Sequence, residues 1–117
     1  LLPPGSTDAW APKVLRAGMG AHFRLPVYSM PWEPIAAYLQ GLQILEADMQ
    51  GKIPCWQANL RQPTAWIIGG EASGISTAVK KLITNSVRIP MALGPESLNA
   101  AVSAAILLYE TMRQRSL

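Results

Sequence analysis

Three short apolar runs constrain this chain most: Leu42–Ala47, Ala65-Trp66-Ile67-Ile68 and Val87-Arg88-Ile89, the last closed by Pro90. Stretches with helical character lie between and around them. Strands separated by helices predict an α/β domain with a mostly parallel sheet flanked by helices. In such sheets ligands sit beyond the carboxyl ends of the strands. That rule points to three segments: Ala47 onward, Gly69-Gly70-Glu71, and Pro90–Asn99.

The helical stretches have readable boundaries. Ser6, Thr7 or Asp8 can cap a first helix over Pro12–Met19, with Pro12 in its first turn and Gly18 or Gly20 at its end. Phe23–Val27 reads as a short extended run. A second helix starts at Pro31-Trp32-Glu33-Pro34, puts Ile35, Tyr38 and Leu39 on one face, and stops at Gly41. Ile75–Ile83 reads as a third. Gln50–Pro63 is polar, carries Gly51, Pro54 and Pro63, and reads as a variable loop. The clearest element is Leu98–Arg115, a helix of roughly 27 Å. Its Leu98, Ala101, Val102, Ala105, Ile106, Tyr109 and Met112 form one apolar stripe, and Arg113 and Arg115 near its end suit the helix dipole.

Composition excludes several classes. With 117 residues, 50% hydrophobic and 15% charged, the chain is one ordered domain with a real core. One cysteine, Cys55, and one histidine, His22, leave no disulfide framework, no metal cluster and no Ser-His-Asp triad. The longest apolar stretch, Ala100–Tyr109, is about half of the ~20 residues a membrane helix needs, so no membrane partner is expected. No secretory signal is readable. A net charge of +3 permits a polyanionic partner without demanding one. A start at Leu1 rather than Met reads as processing or excision from a longer chain.

Three segments can carry chemistry. Glycines directly after a buried strand, as in Ile67-Ile68-Gly69-Gly70-Glu71-Ala72-Ser73-Gly74, let a backbone approach a ligand. The spacing is neither a dinucleotide fingerprint nor a Walker A loop, and an ordinary strand–helix turn fits it equally well. Glu71 is either a helix-start carboxylate or a site residue. At Ser97-Leu98-Asn99, where the last helix opens, one of the two polar residues is expected to cap and the other to face a ligand. Lys13, Arg16 and Arg24, with His22 between them, form either a solvated face or a phosphate-contacting surface. His22 alone is more often a hydrogen-bonded structural histidine than a base. Trp66 reads as core, and Cys55 has no positive neighbour in sequence to make it reactive.

These segments together resemble the SpoU/TrmH family of RNA ribose 2′-O-methyltransferases, within the SPOUT superfamily. Pro12–Val27 is similar to the stretch after the family's first motif, Ile68–Ile75 to its second, and Ile89-Pro90-Met91 through Glu96-Ser97-Leu98-Asn99 to Arg115 to its third. The resemblance implies a deep C-terminal trefoil knot, a rarity among folds. It implies a homodimer built on the knot and last helix, whose apolar stripe is then shared between core and partner. It also implies S-adenosylmethionine held near Gly69, Ile89 and Leu98, with Ala47 and Met91 close by. Its chemistry is methyl transfer to a ribose 2′-hydroxyl of tRNA or rRNA, with Glu71, Ser97 and Asn99 at positions that orient the ribose and a first-motif Arg.

That first motif is absent from the chain and is expected upstream of Leu1, and none of Lys13, Arg16 or Arg24 takes its place. Residues 1–117 therefore read as the C-terminal part of a methyltransferase domain, inactive alone and without the sheet's first strand. The alternatives are a non-catalytic SPOUT-like module that binds RNA or a partner, and an unrelated α/β domain that uses Gly69-Gly70 for another nucleotide. Low cysteine and no signal suit the cytoplasm, with an organelle left open.

Overall fold

A computed structural model describes residues 1–69, 74–92 and 97–116. Its centre is a four-stranded sheet: β1 (Gln43–Ala47), β2 (Ile53–Pro54), β3 (Thr64–Ile67) and β4 (Asn85–Arg88). The order is β2-β4-β1-β3 and every pairing is parallel. The expected α/β architecture is therefore present.

Side chains on a strand alternate between faces, and the core divides accordingly. Leu45 and Val87 point to one side, where they meet Cys55, Ala58, Leu60 and Leu107, flanked by Ala47, Trp66, Ile68 and Ile89. Ile44 points to the other, with Ile35, Leu39, Ile75 and Val79, flanked by Ala65 and Ile67. Helices α2 (Trp32–Leu39) and α3 (Thr77–Lys80) cover the second face. Helix α4 (Ala100–Arg115) covers the first through Leu107. Helix α1 (Pro12–Ala17) contributes no fully buried residue.

Several expectations need correction. The N-terminal helix is not capped by Ser6, Thr7 or Asp8: its N-cap is Ala11, and Asp8 Oδ1 instead accepts from the Trp10 N–H. Phe23–Val27 is not extended. Ala21–Phe23 is a 3-10 turn, and both Arg24 N and Leu25 N donate to the Ala21 carbonyl, carrying the turn forward until Pro26, which has no N–H. The third helix is shorter than Ile75–Ile83. Ser76 caps it at Val79 N, and after Lys80 the chain is drawn into the sheet, with Thr84 N donating to Ile44 O and Thr84 Oγ1 accepting from Ile44 N.

Gln50–Pro63, expected as a variable loop, holds regular structure and core residues. It contains β2 and a 3-10 turn over Cys55–Gln57, and it buries Cys55, Ala58 and Leu60. Pro54 is tolerated because β2 is an edge strand.

The apolar stripe of α4 is the larger correction. Val102, Ile106, Tyr109 and Met112 face outward, Tyr109 with 64% of its surface exposed. The face against the sheet instead carries Leu107 and Thr111, both buried, with Ser103, Ala104 and Gln114 half-buried. This polar-looking face packs because its polar atoms are bonded. Thr111 Oγ1 accepts from Trp66 Nε1, and Gln114 Oε1 accepts from Leu60 N. Arg115 completes the attachment by donating to the carbonyls of Leu60 and Gln62.

Candidate functional site

The carboxyl ends of β1, β3 and β4 lie beside one another in the sheet and open onto a single cavity of about 270 Å³. Ala47 ends β1. Ile68 and Gly69 follow β3, and Ile89 and Met91 follow β4. Ser97, Leu98, Ala100 and Ser103 close it from the start of α4. The volume sits just below the ~300–1,000 Å³ of small-molecule sites.

All five positions implied for the cofactor, Ala47, Gly69, Ile89, Met91 and Leu98, line this cavity. Gly69 has φ +71°, a backbone region open to glycine at little cost, and a Cβ built there would enter open space. The strand end therefore turns sharply while leaving the cavity clear.

The three positions with an implied role in the reaction are not brought together among the described residues. Ser97 lines the cavity. Asn99 does not: its Oδ1 accepts from the N–H groups of Ala101 and Val102, at 2.8 and 3.3 Å. It is thus the N-cap of α4 and takes up two of the helix's unpaired donors. Of the two polar residues at the start of α4, Asn99 caps the helix and Ser97 lies at the cavity. Glu71 lies outside the described residues.

Lys13, Arg16 and Arg24 are all exposed and none lines the cavity. His22 between them is tied down. Its Nε2 donates to the Ala9 carbonyl at 2.6 Å, and its ring lies 5.1 Å from that of Trp10. That is the structural role expected of a lone histidine.

Sequence reasoning marked the segment after Ala47 without naming Asp48, Met49 and Gln50, which form one wall. The strand-end rule, applied residue by residue, finds them. Ser103 was also missed; it follows Asn99 by one helical turn, on the side that meets the sheet.

Three perturbed groups, Cys55, Glu110 and Arg113, lie away from the cavity. Burial pushes the Cys55 thiol up, and the nearby Glu110 charge adds to this, which disfavours the thiolate. Hydrogen bonds from Arg113 and then Gln114 hold the Glu110 carboxyl at about 2. Among the described residues no cluster of three or more His, Cys, Asp or Glu can hold a metal, and no helix is long and apolar enough to cross a membrane.

A parallel α/β sheet with a cavity across three adjacent strand ends is the arrangement in which open-sheet α/β domains bind small molecules. The chain belongs to the SpoU rRNA methylase family, whose pattern it matches over residues 1–109. It is 37% identical over 111 residues to an uncharacterized tRNA/rRNA methyltransferase of Synechocystis, covering 92% of this chain and 40% of that protein. It is 35% identical over 118 residues to the 23S rRNA (uridine(2479)-2′-O)-methyltransferase of Streptomyces viridochromogenes, covering 94% and 41%. The crystal structure of the SpoU methyltransferase AviRb from the same organism, in complex with AdoMet, superposes with a TM-score of 0.78 at 32% identity, covering 98% of this chain and 49% of that one. The chain thus spans less than half the length of these relatives.

Proposed function

We propose that the protein methylates a ribose 2′-hydroxyl of rRNA or tRNA and holds S-adenosylmethionine in the cavity at the ends of β1, β3 and β4. One observation carries the reading: the five positions that the family resemblance assigns to the cofactor, dispersed between Ala47 and Leu98, converge on that cavity. The lining suits such a group. Ile68, Ile89, Met91 and Leu98 offer apolar surface to a nucleobase, Ser97 and Ser103 offer hydroxyls, and Asp48 offers a carboxylate that favours a positively charged ligand. When bound, S-adenosylmethionine supplies an electrophilic methyl group.

A ribose hydroxyl is a weak nucleophile and needs a base or a stabilised alkoxide. In this reading Ser97 contacts the ribose, Glu71 positions the reacting groups, and Asn99 acts by fixing the start of α4, which places Ser97 and Leu98. Lys13, Arg16 and Arg24 contact RNA phosphates.

The reading includes a knotted C-terminal part and a homodimer. Support for the homodimer comes from the outward stripe of α4, where Val102, Ile106, Leu108, Tyr109 and Met112 are exposed on a helix whose other face is already packed. A lone buried thiol suits a reducing compartment, and the cytoplasm is the one favoured.

The test combines calorimetric titration of S-adenosylhomocysteine with transfer of a labelled methyl group from S-adenosylmethionine to ribosomal and transfer RNA. Binding at about one site per chain with label in the 2′-O position is the expected result. Binding without transfer favours a binding module instead, and no binding by folded protein overturns the cofactor reading.

A further inference from the structure

One wall of the cavity, Ala47–Gln50, is a loop that leaves β1 and returns as β2. What holds that loop is not in the cavity. Arg88, the last residue of β4, donates from Nη1 to the carbonyls of Gly51 and Lys52, at 2.8 and 3.1 Å. Both carbonyls belong to the residues just after the wall. Gly51 packs its backbone against β4 so closely that a Cβ would lie 2.5 Å from Val87 C and 2.6 Å from Arg88 N. Asp48 N donates to Val87 O, and Lys52 N to Ser86 Oγ. Within the loop, Gln50 N donates to Asp48 Oδ1 and Gly51 N to Asp48 O.

Arg88 thus joins two parts of the cavity. The residue after it, Ile89, is itself a wall, and the side chain of Arg88 reaches across to the loop that forms another. A guanidinium fits this task, since one nitrogen carries two N–H groups in fixed directions and serves both carbonyls. Without it, two carbonyls next to a close backbone contact lose a charged side-chain donor, and the far end of the wall is left to the Lys52–Ser86 bond and the short β2–β4 pairing.

We infer that Arg88 is a positioning residue for the cofactor site: by clamping Gly51 and Lys52 to β4 it sets where the 47–50 wall stands, and so how tightly the cavity holds S-adenosylmethionine. This rests on the cofactor reading above. The residue itself touches no ligand.

The experiment compares wild type, Arg88→Met and Arg88→Lys in S-adenosylhomocysteine titration and amide hydrogen exchange. Arg88→Met weakens binding about tenfold, the scale of one or two lost charge-assisted hydrogen bonds, and Arg88→Lys recovers part of it. Exchange rises at residues 50–53 while β1 and β3 stay protected. In methyl transfer, KM for S-adenosylmethionine rises with kcat nearly unchanged. Equal affinity of wild type and Arg88→Met overturns this inference alone, as does an exchange increase spread evenly over the sheet. Wild-type protein that fails to bind S-adenosylhomocysteine overturns the cofactor reading and the inference with it.

Discussion

The indole of Trp66 on β3 donates from Nε1 to the hydroxyl of Thr111 on α4, 3.1 Å away, and that hydroxyl donates in turn to the Leu107 carbonyl at 2.7 Å. One hydroxyl therefore joins the edge strand of the sheet to the helix that covers it. Thr111 is buried, so a valine there keeps the volume and strands the indole N–H. Thr111→Val is expected to cost about 1–2 kcal/mol in urea denaturation. Trp66→Phe in the same background should then cost less than it does alone, because the N–H it removes has already lost its acceptor. Strictly additive losses would mean that the bond contributes nothing.

Gly69 offers a test of the cavity with an internal control. A valine at φ +71° is strained by about 1–2 kcal/mol and also fills space in the cavity proposed to hold the cofactor. Gly20 has φ +86°, also with open space where a Cβ would lie, and does not line the cavity. Gly69→Val and Gly20→Val should lose similar stability, while only Gly69→Val loses S-adenosylhomocysteine binding, by at least about tenfold. Equal binding by the two variants would place the cofactor elsewhere.

Asn99 separates capping from chemistry. Removing the cap acceptor in Asn99→Ala should cost about 1 kcal/mol and lower methyl transfer. Asn99→Asp keeps an acceptor at the helix start and a favourable charge there, so its stability should match wild type. If Asn99→Asp also keeps full activity, the residue serves the reaction only by holding α4. If activity falls while stability holds, the amide itself is needed.

The Glu110 carboxyl gives a pH dependence of known sign. Its value in the folded protein is about 2, below the ordinary 4.5, because Arg113 and Gln114 bond its charged form. A depressed carboxyl contributes stability that is fully present above the unfolded value and is lost as pH falls from there toward 2. Arg113 is half exposed, its side chain at 48%, so solvent screens the pair and its contribution is small. Chemical denaturation across that acid window should show the loss in wild type and a shallower slope in Glu110→Gln. Identical slopes would mean that the ion pair is energetically silent.

How much was legible in the sequence follows from where apolar residues cluster. Leu42–Ala47 and Ala65–Ile68 are runs bounded by turn residues, and both became strands at nearly the expected positions. The cavity followed, because parallel strands put their carboxyl ends on one edge. Ala58 and Leu60 were invisible because each sits between polar neighbours, and Cys55 because Pro54 beside it hides any strand or helix period; only the sheet shows that α4 has room for them beneath it. The orientation of α4 was unreadable for a different reason. Both of its faces hold apolar residues, and the buried one includes Thr111 and Gln114, whose cost disappears only once Trp66 and Leu60 supply partners.

That orientation leads to the last prediction. An amphipathic helix on a monomer hides its apolar side, yet α4 turns Val102, Ile106, Tyr109 and Met112 outward, four residues at one-turn to three-turn spacing on one face. Leu108 adds to the patch at 59% exposure. Exposed apolar residues on a helix that also carries the Glu110–Arg113 ion pair have the composition of an interface. A second copy seated on it would make an isologous contact, in which one substitution acts twice. Ile106→Asp should therefore shift sedimentation from dimer to monomer at micromolar concentration and leave the monomer's sheet intact by circular dichroism. Lys13→Ala, on an exposed helix of its own, should leave the dimer unchanged. A wild-type protein that sediments as a monomer would remove the homodimer from the reading and leave the α4 patch for the RNA or another chain to cover.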